Sequence, residues 1–162
     1  MKRLAFKTLL AAMFVAAFGL AYHVAAGQGE KPKAVDSILG VRVGAKIEEV
    51  HEKLKDLGTW GGRATQDGGR KEAWTLKETE FTSVAYKTNA AGRVVWITGF
   101  VRPGKEIPFD KLGDLARARG KDKTEAVWDV EAQGASYKLV AKGPDGKARV
   151  VTLISLEAPP IK

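Results

Sequence analysis

Two stretches of equal length decide how this chain is read: WTLKETEFTSVAYKTNAAGRVVWIT, residues 74–98, and WDVEAQGASYKLVAKGPDGKARVVT, residues 128–152. Each opens on a tryptophan, Trp74 or Trp128, and each reaches a turn glycine 18 positions later, Gly92 or Gly146. A basic residue follows both glycines (Arg93, Lys147). A β-rich run then closes each unit, Val94-Val95-Trp96-Ile97-Thr98 in one and Val150-Val151-Thr152-Leu153-Ile154 in the other. Matched spacing of this kind argues for one supersecondary unit used twice.

A helix stands ahead of each stretch. Ile47, Val50, Leu54 and Leu57 recur at helical steps and make one apolar stripe. Glu48 and Glu49 suit the first turn and Lys53 and Lys55 the far end, as the helix dipole favours, and Gly58 supplies the stop. In the second unit Pro108 suits a first turn, Phe109, Leu112, Leu115 and Ala116 make the stripe, and Gly120 ends it.

Strands are expected from Glu72 to Leu76, Phe81 to Thr88 and Arg93 to Arg102, then from Glu125 to Ala132, Ser136 to Lys142 and Lys147 to Leu156. Asn89-Ala90-Ala91-Gly92 and Gly143-Pro144-Asp145-Gly146 are the hairpin turns. The expectation is an α+β fold: α-β-β-β twice, about six antiparallel strands with two helices on one face. The first unit covers 38–104 and the second 105–157, with a linker at 27–37 and a tail at 158–162.

Met1 to Ala26 reads as an export signal: Lys2, Arg3 and Lys7, then an apolar run from Leu9, then small residues Val24-Ala25-Ala26 before Gly27. The alternative is an uncleaved anchor, since Leu9 to Ala26 approaches the roughly 20 apolar residues a spanning helix needs. Both place the remainder outside the cytoplasm, periplasmic or secreted, or anchored and facing outward. There is no cysteine, which excludes disulfides, thiolate metal sites, a Cys nucleophile and a lipid-bearing Cys. The formal charge of +8 falls to +5 without the three leader cations, and the charges are interspersed, so no nucleic-acid partner is expected.

Thr59 to Arg70 holds Trp60-Gly61-Gly62-Arg63 and Asp67-Gly68-Gly69-Arg70, and is expected to be a glycine-rich loop with no full counterpart in the second unit. Trp60, Arg63 and Arg70 are therefore candidate contact residues. In the strand Arg93 to Arg102 both faces are apolar, so Trp96, together with Tyr86, is a candidate for an exposed aromatic face; the alternative is that both pack in the core. Trp74 and Trp128, at matching positions, are expected in the core.

No catalytic constellation is present. His51 lies at the margin of the first helix's stripe and is expected to be structural; His51-Glu52 lacks the second histidine, at position 55, that a zinc helix needs. Asp67, Glu72, Glu78 and Glu80 cannot be paired by spacing alone. No cofactor or metal is expected.

Gly40-Val41-Arg42-Val43-Gly44, a helix with Glu48-Glu49-Val50, Leu57-Gly58, a glycine-rich stretch and then strands resemble the entry motif of small exported bacterial domains. These are the SmpA-like outer-membrane assembly lipoprotein family and the tandem-repeat β-lactamase inhibitor proteins. The chain departs from both in having no cysteine. The resemblance implies a non-catalytic binding or accessory module that contacts a protein or cell-envelope component. The alternatives are a small enzyme with a pocket under the glycine-rich stretch, and a purely structural anchored protein. Membrane contact is expected only through an uncleaved N-terminus.

Overall fold

The computed structural model describes residues 34–66, 68–132 and 134–157. The export signal and the tail lie outside the described residues, as does most of the linker. The first helix forms where its stripe places it: α1, Ile47–Leu54, buries Ile47, Val50 and Leu54 and carries Glu48 and Glu49 in its first turn. Strands β1 (Gly58–Gln66), β2 (Gly69–Leu76), β3 (Phe81–Thr88) and β4 (Val94–Val101) follow. Next come a two-residue strand β5 (Ile107–Pro108) and the one-turn helix α2 (Phe109–Leu112). The last strands among the described residues are β6 (Gly120–Lys121), β7 (Glu125–Ala132), β8 (Ala135–Lys142), β9 (Lys147–Ala148) and β10 (Val150–Ser155).

The class is α+β. Among the described residues, eight strands form one antiparallel sheet in the order β1-β2-β3-β4-β10-β8-β7-β6, and β5 pairs with β9. Eight strands replace the expected six because the glycine-rich segment is a strand, and Gly120–Lys121 adds a short edge. In β1 and β2 the glycines serve the sheet. Gly62, at φ +113, lies in a bulge where the register shifts between Trp60 and Arg63. Gly69 lies so close to β3 that a Cβ would overlap the Thr88 carbonyl oxygen. Gly69→Ala is therefore expected to cost about 2 kcal/mol or more in urea unfolding; a stability equal to the parent's would show that β2 does not lie as described.

The second helix is cut short. It stops at Leu112, Gly113 is extended, and a single 3-10 turn follows at Leu115–Arg117. The cause is Trp128, whose indole would be only 3.0 Å from a Cβ on Gly113 and whose Nε1 donates to the Asp114 carbonyl at 2.9 Å. A continued helix would take that carbonyl and close that space.

One face of the sheet carries the core. Paired positions run straight across it: Arg63, Glu72, Tyr86, Ile97, Leu153, Leu139 and Trp128. The side chains of α1 and α2 join Trp74, Val84, Leu139, Leu153 and Trp128 in one buried cluster. Each fully buried Leu, Ile or Val contributes about 1.5–3 kcal/mol. Two register shifts in the β3–β4 pairing, at Phe81/Ser83 and Lys87/Thr88, interrupt simple alternation. For that reason Phe81 and Tyr86, an odd distance apart, are both buried. Tyr86 is thus a core residue, and its expected membership of an exposed aromatic face with Trp96 is corrected.

Candidate functional site

Two features stand out, one on each face of the sheet. On the helix side, the strand alternation that buries Trp74 and Leu76 also buries Glu72, which is only 2% exposed. Its carboxylate oxygen Oε2 accepts from the Tyr86 hydroxyl at 2.7 Å, bonds His51 Nε2 at 2.7 Å and accepts from Trp60 Nε1 at 3.2 Å. The His51 ring also reaches the Tyr86 oxygen at 3.0 Å and meets Trp74 edge-on at 5.5 Å. Four elements, α1, β1, β2 and β3, therefore converge on one buried carboxylate.

Burial alone would push the Glu72 carboxyl up. Donation from Tyr86, His51 and Trp60, with the His51 charge, outweighs it, so its pKa lies below the ordinary value of 4.5. Burial and the Glu72 carboxylate together push the Tyr86 hydroxyl well above its ordinary value, so it stays a donor. Among the described residues no third His, Cys, Asp or Glu joins His51 and Glu72 in a set that could hold a metal ion. The donors converge on the carboxylate. The cluster is a pin that ties the β1–β2 hairpin to α1.

The sites expected from sequence separate here. Trp60 and Tyr86 meet at Glu72, and Trp60 keeps 48% of its surface in solvent. Arg63, paired with Glu72, and Arg70, paired with Thr65, sit beside the cluster on the exposed hairpin. Trp96 lies on the opposite face. His51, expected to be structural, and Glu72, one of four acids that spacing could not pair, organise the cluster, and neither was among the expected contact residues. The signal for Glu72 was present: it alternates with Trp74 and Leu76, which puts a charge on an apolar face.

Among the described residues, no helix lies over the opposite face. At its centre Thr98 faces Thr152, with their hydroxyls 2.7 Å apart. Trp96 and Ile154 pair on one side of them, and Phe100 and Val150 on the other. Phe100 is 42% exposed, and Trp96, Ile154 and Val150 are partly exposed. Lysines border these pairs along the same rows: Lys87 beside Trp96, Lys138 beside Ile154 and Lys142 beside Val150. Lys71 Nζ lies 5.9 Å from the centre of the Trp96 ring. The outcome is an apolar centre bordered by lysines; on the β8 side the rows run on to carboxylates, Asp129 beside Lys138 and Glu125 beside Lys142, the latter pair 2.7 Å apart.

No protein-family model, curated protein or solved structure matches this chain.

Proposed function

We propose that this chain is an exported, non-catalytic binding module, periplasmic or secreted, which holds a partner protein on the open face of its sheet. The observation that carries the reading is that face. Trp96, Phe100, Val150 and Ile154 form an apolar centre on the face of the sheet that, among the described residues, carries no helix. An apolar surface bordered by lysines suits a partner that is apolar at its centre and carboxylate-bearing at its rim. Export rests on Lys2, Arg3 and Lys7 ahead of the apolar run.

The same reading takes the chain as two copies of one unit, a helix followed by four strands. Several features support a duplication. Thr98 and Thr152 meet at the middle of the sheet, and from there the order outward is β4-β3-β2-β1 on one side and β10-β8-β7-β6 on the other. The row Gly99, Val84, Trp74 corresponds to Leu153, Leu139, Trp128. Gly92 and Gly146 share nearly the same φ, +70° and +71°. The resemblance to exported binding domains points the same way.

The test is a photo-crosslinking residue at position 100, at position 60, or at an exposed α1 position such as 52, in the intact chain in its own envelope. A protein captured from position 100, and not from 60 or 52, is the expected result. Capture from position 60 alone would return the binding surface to the hairpin around Trp60, Arg63 and Arg70. Self-crosslinking from position 100 would make the face a contact between two copies. Either outcome overturns the reading.

A further inference from the structure

Between the segment 36–45, α1 and the residues Ala132, Gly134 and Ala135 lies a cavity of about 540 Å³. Tyr137 lines it and is 2% exposed, yet its hydroxyl has no hydrogen-bond partner among the described residues. A buried hydroxyl without a partner costs about 1–3 kcal/mol, so its retention here calls for an explanation. Three cations, Arg42, Lys53 and Arg93, line the cavity, and so do three carboxylates, Asp36, Glu49 and Glu157. Arg42 and Asp36 pair at 3.2 Å, whereas Lys53, Glu49 and Glu157 make no ion pair with a described residue.

The other half of the sheet shows what a closed corner looks like. There Phe81, paired with Val101, stands where Tyr137 pairs with Ser155. Arg102 seals that corner by donating to the carbonyls of Thr79 at 3.1 Å and of Leu76 and Phe81 at 3.2 Å each. The residue in the place of Arg102 is Leu156, 47% exposed, whose N–H bonds Ser136 as that of Arg102 bonds Glu80. The comparison of halves rests on the duplication proposed above; the cavity and the unpartnered hydroxyl do not.

We infer that this cavity binds a small zwitterion, an amino acid or short peptide carrying both an ammonium and a carboxylate group. The volume suits a ligand of that size. A lone anion would meet Glu49 and Glu157 and a lone cation Lys53 and Arg93, whereas a zwitterion satisfies both signs. Burial, with Asp36 adding to it and Arg42 opposing, pushes the Tyr137 hydroxyl up to about 12, so it keeps its proton; a ligand carboxylate that displaces the wall over it would supply the missing acceptor. The site is separate from the open face and does not depend on a protein docking there.

The experiment titrates the isotope-labelled chain with alanyl-alanine, with glucose and with inorganic phosphate, and follows backbone amide shifts. Alanyl-alanine is expected to move the amides of Arg42 to Ala45 and Ala135 to Tyr137, and the other two probes are not. Tyr137→Phe should weaken that binding about tenfold, the worth of one hydrogen bond, without lowering the melting temperature. Lys53→Ala, on an exposed helical surface, should weaken it as well and carries the test if the Tyr137 variant misfolds. Absence of shifts with alanyl-alanine, equal binding of glucose or phosphate, or full affinity in the variants would overturn the inference. Serving water alone, the Tyr137 hydroxyl would give the first of these results.

Discussion

Replacing Glu72 with alanine is expected to lower the stability of the chain by about 3 kcal/mol. Trp60 and His51 are partly exposed and can turn to water, but the Tyr86 hydroxyl is fully buried and would lose its carboxylate acceptor, keeping only the His51 ring at 3.0 Å. The loss should not add to that of Tyr86→Phe, because the second substitution removes the group that the first leaves unpaired. Urea unfolding of both single variants and the double variant measures this. Additive losses would show that the two side chains do not share a bond. Trp60 offers a local readout, since its indole is tied to the same carboxylate.

The same cluster sets an acid dependence. The folded pKa of Glu72 lies below the ordinary 4.5. Its charged form therefore contributes stability that is fully present above about pH 5 and is lost as the pH falls through the folded value. Glu72→Gln should be less stable at neutral pH and should lose less on acidification. Parallel loss of stability in parent and variant between about pH 5 and 3 would rule out this carboxylate as the source.

The second large effect is on binding. With the partner in hand, Trp96→Asp combined with Phe100→Asp is expected to weaken capture by about 100-fold or more, since two buried aromatic contacts at the centre of an interface each carry about 2 kcal/mol. The cost in stability should be small, about 1–2 kcal/mol, from strand propensity and the loss of the Lys71–Trp96 contact. Undiminished binding by a folded double variant would remove the open face from the function. The opposing control is Trp60→Ala, which should disturb the Glu72 cluster and leave capture unchanged.

How much could be read beforehand differs by element. Helix α1 was legible because Ile47, Val50 and Leu54 share one face and all three are buried. Strands β3, β4, β7 and β8 were legible from their β-branched and aromatic runs and from the turn glycines between them. Strand β1 was not, because glycine declares neither strand nor loop: what holds Gly58 to Gln66 extended is pairing with Gly69 to Leu76. The one-turn α2 was read too long because the ring that ends it, Trp128, arrives from a strand. Whether Tyr86 belonged to an exposed aromatic face or to the core was not legible, because a register shift in the pairing is a property of two strands and not of one.

Local pattern thus determined what a run of neighbours can specify: the α1 stripe, most strands, the turns, the matched spacing of the tryptophans and a core large enough to form without disulfides. Only the tertiary structure decided which face of the sheet is left open, and which groups separated by many residues meet. His51 and Glu72 are 21 positions apart, and Tyr86 is 14 from Glu72. Periodicity reports the direction of a side chain relative to its own backbone. What that side chain touches depends on how one element is set against another.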